Sequence, residues 1–228
     1  MKYKGVIVDQ LAGSMGGLTA SRNQYGGYFR QRVVPVNPNT PFQQAVKQAA
    51  SECANAYYNI LTDAQRSAWE TYAANTSLTG KDGTSLTVKG PQMYNRTNVG
   101  AIAVGLDRID DAPTLFYLAP TPDITSCVIT VPNAGSLVFD DQAAWCSEDN
   151  AYMLLYLSRP QNGTLNFYKG PYRHVGAIAG DSGAPITSPQ AFTSPFPYTA
   201  GQRGFLFARV RRADGRVSDP FRLSSLAV

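Results

Sequence analysis

The chain has 228 residues, of which 43% are apolar or aromatic and 16% charged, with a formal net charge of +4 and one histidine, His174. Soluble domains ordinarily carry about 25% charged residues, so this composition is short of ions and not of core, the reverse of a disordered chain. A single histidine excludes His-rich metal sites and two-histidine relays. No run approaches the roughly 18 apolar residues of a membrane span, and Met1-Lys2-Tyr3-Lys4-Gly5 does not open a signal peptide.

Residues 1–40 read as an extended, Gly-rich, basic arm. Val6, Ile7 and Val8 predict a short strand, Gly13-Ser14-Met15-Gly16-Gly17 a flexible turn, and Leu18-Thr19-Ala20-Ser21 a second extended piece. Tyr28 to Val34 alternates, with Tyr28, Arg30, Arg32 and Val34 on one face and Phe29, Gln31 and Val33 on the other. Lys2, Lys4, Arg22, Arg30, Arg32 and Lys47 stand against Asp9 alone up to residue 50. Such an arm buries little and needs a partner surface, or the rest of the chain, to hold it.

Pro35-Val36-Asn37-Pro38-Asn39 stops any strand, and a helical segment is expected over 41–112. Thr40 with Gln43, and Thr62 with Gln65, match the capping box, and Pro41 suits a first helical position. The first helix, about 41–59, sets Phe42, Val46, Ala49, Ala50, Cys53 and Tyr57 on one stripe. The second, about 63–74, offers Ala68, Trp69, Tyr72 and Ala73, making a helical hairpin with Trp69 as anchor. Lys81-Asp82-Gly83-Thr84 reads as a turn before a short strand through Leu86 and Val88. Gly90-Pro91 opens a third helix, about 91–105, with Tyr94, Asn98, Ala101 and Ile102 inward.

Asp110-Asp111 and the prolines at 113, 120 and 122 mark a Pro-rich linker over 113–122. From 123 to 228 the pattern is all β, with strands expected at 126–131, 136–139, 151–157, 173–179, 204–210 and 216–226, and Trp145 in the core. Asp214-Gly215 would join the last two as a tight hairpin. Six or seven short strands separated by Pro- and Gly-rich turns suit an immunoglobulin- or fibronectin-like sandwich. The fold expected is therefore α+β: an extended arm with short strands, a small helical segment, and a C-terminal β-sandwich.

Gly180-Asp181-Ser182-Gly183-Ala184-Pro185 resembles the nucleophile loop of trypsin-like proteases. That chemistry needs a histidine base from far upstream, whereas the one histidine lies eight residues before Ser182, and Ala184 replaces the glycine of the motif. The segment reads better as a turn. The acid pairs Asp110-Asp111, Asp140-Asp141 and Glu148-Asp149 are adjacent in sequence, not convergent, and read as loop charges. Calcium at the oxygen-rich loop 140–149 is the weaker reading. Gly13 to Gly17 lacks the lysine of a phosphate-binding loop. The expectation is no enzyme, no cofactor and no metal.

Fourteen of the 20 basic residues are Arg, and Glu52, Glu70 and Glu148 are the only Glu among 16 acids. Arg is favoured at planar contacts, and Lys and Glu are depleted in interface cores, so much of this surface reads as contacted. A merely polar, uncharged surface is the plainer alternative. Arg22, Tyr25, Tyr28, Arg30 and Arg32 in the arm, with Arg209, Arg211 and Arg212 near the C-terminus, are the candidate partner-binding residues. For the C-terminal group, an edge strand protected by charge is an equal reading. Cys53, Cys127 and Cys146 form no CxxC pair; Cys127 and Cys146 are candidates to face each other across strands, but three buried free thiols in a reducing cytoplasm fit better.

The stretch Ser14-Met15-Gly16-Gly17-Leu18-Thr19-Ala20-Ser21-Arg22-Asn23-Gln24-Tyr25-Gly26-Gly27-Tyr28-Phe29-Arg30-Gln31-Arg32, followed by Pro35-Val36-Asn37-Pro38-Asn39-Thr40, is similar to an uncharacterised family of proteins encoded by tailed bacteriophages and prophages. Leu61-Thr62, Gln65-Arg66, Ala68-Trp69, Gln92-Met93-Tyr94, Arg96-Thr97-Asn98, Lys169-Gly170-Pro171-Tyr172-Arg173 and Asp214-Gly215-Arg216-Val217-Ser218 also match its patterns, so the resemblance covers most of the chain. The family brings no catalytic residues to carry over. It implies a virion structural protein made in the host cytoplasm, with other virion subunits and itself as partners. A capsid decoration or minor capsid role leads, a head–tail connector, neck or tail role follows, and nucleic-acid binding or a glycan-binding sandwich are alternatives of other classes.

Overall fold

The computed structural model describes residues 12–23, 26–80 and 83–228. Two compact units meet at the Thr40–Pro41 boundary. The expected strand at Val6–Val8, the candidate Tyr25 and the turn residues Lys81 and Asp82 lie outside the described residues.

In the first unit, β1 (Gly13–Met15), β2 (Leu18–Asn23) and β3 (Gly26–Gln31) form an antiparallel meander in the order β1-β2-β3. The Gly-rich turn is a two-residue hairpin, Gly16-Gly17, with Gly16 at φ +57°. The pairing Ala20↔Phe29 and Met15↔Leu18 puts Met15, Leu18, Ala20 and Phe29 on one face. Ser21↔Tyr28 and Thr19↔Arg30 make the other face polar. Pairing ends at Gln31, and no regular structure follows to residue 40, where Pro35 and Pro38 lack the N–H a ladder needs.

The second unit opens with α1 (Pro41–Asn55), which continues into a π-helical turn at Ala56–Ile60. α2 (Asp63–Asn75) starts on a formed capping box: the Gln65 N–H donates to Thr62 Oγ1 at 3.2 Å and the Thr62 N–H to Gln65 Oε1 at 3.0 Å. β4 (Leu78–Thr79) and β5 (Ser85–Leu86) make a small hairpin before α3 (Gly90–Ile102). Cys53, Tyr57, Trp69, Tyr72, Met93 and Tyr94 form the helical core. Trp69 meets Tyr94 and Tyr72 edge-on at 5.4 and 5.9 Å, and its indole N–H donates to the Asp110 carbonyl at 2.8 Å. At its N-terminal end the expected stripe of α1 fails to close: Phe42 is 41% and Val46 50% exposed.

Seven strands follow: β6 (Ile124–Thr130), β7 (Ala134–Phe139), β8 (Tyr152–Leu157), β9 (Arg173–Ala179), β10 (Gln190–Thr193), β11 (Arg203–Arg211) and β12 (Phe221–Leu226). They form two antiparallel sheets, β10-β7-β6 and β12-β11-β8-β9, which share one core including Ile129, Leu137, Trp145, Met153, Leu155 and Leu206. β10, which the sequence reading lacks, pairs with β7 and seats Phe192 over Gly135. The last strand is shorter than the expected 216–226, with pairing beyond the turn limited to Arg211↔Val217 before β12 begins at Phe221. Ser218 interrupts it, exchanging Ser218 N–H to Val210 O and Val210 N–H to Ser218 Oγ, both 2.9 Å, and Pro220 follows.

Helices and sheets belong to one unit, and the Pro-rich stretch 113–122 runs inside it with Pro113, Ala119 and Pro122 buried. Arg96 Nη2 donates to the Ser218 carbonyl at 3.0 Å, and Arg211 Nη1 to the Asp107 carbonyl at 2.9 Å. No helix among the described residues is long and apolar enough to cross a membrane.

Candidate functional site

The arm candidates fall where strand alternation puts them. Tyr28 and Arg30 share the polar face of β3, Arg22 lies on β2 opposite Gly27, and Arg32 follows the last pair, its N–H donating to the Gly17 carbonyl at 2.8 Å. Arg22, Arg30 and Arg32 are exposed and Tyr28 half-buried. Ala20 is the one buried residue among those described in the unit, while Met15 and Leu18 are 78% and 51% exposed. Among the described residues of the unit, the apolar sheet face is thus exposed at Met15 and Leu18.

The C-terminal arginines behave differently. Arg211 is 2% exposed, packs over the Tyr152 ring and bonds the Asp107 carbonyl; burial pushes its pKa down. Arg212 bonds Glu148, which also accepts from the Ala213 N–H at 3.2 Å. Arg209 is half-buried over the Phe207 ring. Arg216 lies 4.6 Å over the Tyr117 ring and bonds Asp214 at 2.6 Å. Arg211 therefore offers no surface to a partner: its strand is central in the sheet and its side chain is spent on the Asp107 carbonyl and the Tyr152 ring. Arg209 and Arg211 lie on β11 as the sequence predicts, whereas Arg212 and Arg216 fall outside the strands, and nothing in the sequence marks the partners that cover them.

The Gly180–Gly183 loop is a turn built on carboxylates. Ser182 donates from Oγ and N–H to Asp149 at 2.7 and 2.8 Å, and Asp181 Oδ1 accepts from the Gly183 and Ala184 N–H at 2.7 and 3.1 Å. The two Ser182 bonds hold the Asp149 carboxyl below its ordinary range. Gly180 is required by space, since a Cβ there would strike the Trp145 carbonyl. His174 sits on β9 against Tyr156, ring centroids 5.4 Å apart. Among the described residues, no group of three or more His, Cys, Asp or Glu is placed to hold a metal ion.

The three thiols are buried and free, with burial raising Cys53 and Cys146 to about 11 and Cys127 to about 12.

Between α1, α3 and the β8–β9 edge lies a cavity of about 510 Å³. Phe42 and Val46 line it from α1, Val99 and Ala103 from α3, and Tyr156 and His174 from the sheet. Lys47 and Arg173 complete its wall, and Arg173 stacks on Phe42 at 5.9 Å. The Nε2 of His174 is buried without a hydrogen-bond partner. The sequence reading assigned Phe42 and Val46 to the core and missed this site; the only signal for it was a lone histidine beside an arginine.

No family model and no curated protein matches the chain. Among solved structures, the solution structure of the fibronectin type-III domain of human fibronectin type III domain containing protein 3 aligns with 8% identity over 52% of this chain and 90% of that one, at a TM-score of 0.28. That score is too low to define a shared fold.

Proposed function

We propose that the chain is a non-enzymatic structural protein of a tailed-bacteriophage particle, a capsid decoration or minor capsid protein that contacts neighbouring subunits through its N-terminal unit. The observation that carries this reading is the apolar face of the β1–β3 sheet, exposed at Met15 and Leu18 in a unit that buries only Ala20 among its described residues. Units below roughly 40 residues rarely stabilise themselves without a disulfide, metal or partner. Ordering such a unit against a neighbour costs entropy but covers a large surface. The basic residues Arg22, Arg30 and Arg32 at the same place favour acidic neighbours. The resemblance to phage and prophage proteins supplies the particle.

In this reading the two sheets are an immunoglobulin- or fibronectin-like sandwich that stands outward or bridges neighbours. The three-plus-four antiparallel arrangement supports it, as do the sheet changes between β7 and β8, β9 and β10, and β10 and β11. A connector, neck or tail position is the closest alternative, and the exposed arm cations leave nucleic-acid binding as one of another class.

Deleting residues 2–34 is expected to leave a folded chain that no longer joins particles; undiminished incorporation would overturn the role of the arm. Subunit counting by mass spectrometry separates hundreds of copies, for decoration, from about six to twelve for a closed connector ring. Retention on DNA that falls steeply with salt would instead mark a nucleic-acid binder.

A further inference from the structure

We propose that the cavity between α1, α3 and the β8–β9 edge binds a small amphipathic anion, an apolar body carrying one carboxylate. Its volume of about 510 Å³ falls within the ~300–1,000 Å³ of ligand pockets, which are mostly apolar with a few convergent polar groups. One wall is aliphatic, from Val46, Val99 and Ala103, and the other aromatic, from Phe42 and Tyr156. Lys47 and Arg173 line it, and no Asp or Glu does. The site is therefore rich in donors and poor in acceptors, which fits an anionic group and opposes a cationic one.

Phe42 and Val46 are a second pointer. They continue the apolar stripe that Ala49, Cys53 and Tyr57 bury in the helical core, yet remain 41% and 50% exposed on the cavity wall. The N-terminal unit of a second copy is a poor occupant, because Arg30 and Arg32 carry the same sign as Lys47 and Arg173. The site does not depend on the proposed assembly role.

Calorimetric titration of the full chain with decanoate, decan-1-ol and decyltrimethylammonium tests it. Decanoate is expected to bind saturably, one per chain, with decanol about tenfold weaker and the cation weaker still. Val46→Trp, on an exposed position of α1, should abolish binding, and Ala103→Phe should do the same from α3. Lys47→Glu should erase the preference for decanoate over decanol while leaving decanol binding unchanged. Absence of saturable binding by the wild type would overturn the proposal, as would equal binding of all three probes. So would a dimer that Val46→Trp dissociates, which would make the occupant a second copy.

Discussion

The hydroxyl of Thr97, on α3, donates to the carbonyl of Gly215 at 2.8 Å, 118 residues further along the chain. Both lie at the junction of helices and sheet, with Thr97 3% exposed and the Gly215 backbone at φ +89°. Thr97→Val keeps the shape and strands the carbonyl, for an expected loss of about 1–2 kcal/mol. Trp69 in the helical core and Trp145 in the sheet core report on both halves. Because the two halves share this junction, the urea midpoint of the variant should fall equally by tryptophan fluorescence and by far-ultraviolet circular dichroism. Separate transitions would show that the junction does not couple them.

Gly180 and Ser182 occupy one protease-like motif and should respond to substitution by different amounts. A methyl at Gly180 meets the Trp145 carbonyl and, at 2.7 Å, that of Glu148, so Gly180→Ala is expected to cost about 1–3 kcal/mol as an overpacked site. Ser182→Ala removes an exposed hydrogen bond to Asp149 and should cost under about 1 kcal/mol. Chemical denaturation of both variants measures the contrast.

The raised thiol pKa values predict slow alkylation. At pH 7.5 iodoacetamide should leave Cys53, Cys127 and Cys146 unmodified in the native chain and label all three once the chain is unfolded in urea. Intact mass before and after unfolding reads the result.

Burial pushes the pKa of His174 below its ordinary 6.5, partly offset by a bond to the Gly176 backbone. The folded state thus favours the neutral ring, and the unfolded chain binds the proton first. The stability this contributes is fully present above pH 6.5 and is lost as the pH falls through the lowered native value. His174→Gln removes the titration, so the stability difference between wild type and variant should shift against the wild type between pH 7.5 and 5. Asp110, held low chiefly by Arg108, and Asp141 and Asp149 titrate below their ordinary 3.8 and stay outside that window. Parallel unfolding curves at the two pH values would refute the buried neutral state.

Local signals in the sequence located the elements whose stability is local. The Thr62–Gln65 box and the turn at Gly16-Gly17 each depend on residues a few positions apart. What escaped depends on distant partners. β10 has only Phe192 to bury, and its place is set by the space above Gly135. The burial of Arg211 is set by the Asp107 carbonyl and the Tyr152 ring. The open end of the α1 stripe was unreadable because an apolar stripe predicts a buried face without saying whether anything is there to cover it.

The Thr40–Pro41 boundary also divides the chain electrically. Residues 1–40 carry five Lys and Arg against one acid, whereas residues 41–228 hold fifteen of each sign. The whole formal charge of the protein therefore resides on its smaller unit, and the helices and sheets together are neutral. A protease cut in residues 32–40 would release a body near its isoelectric condition at neutral pH, poorly retained on a cation exchanger and prone to associate with itself. In the assembly proposed above, an acidic surface that neutralised the N-terminal unit would remove the charge by which free copies repel one another.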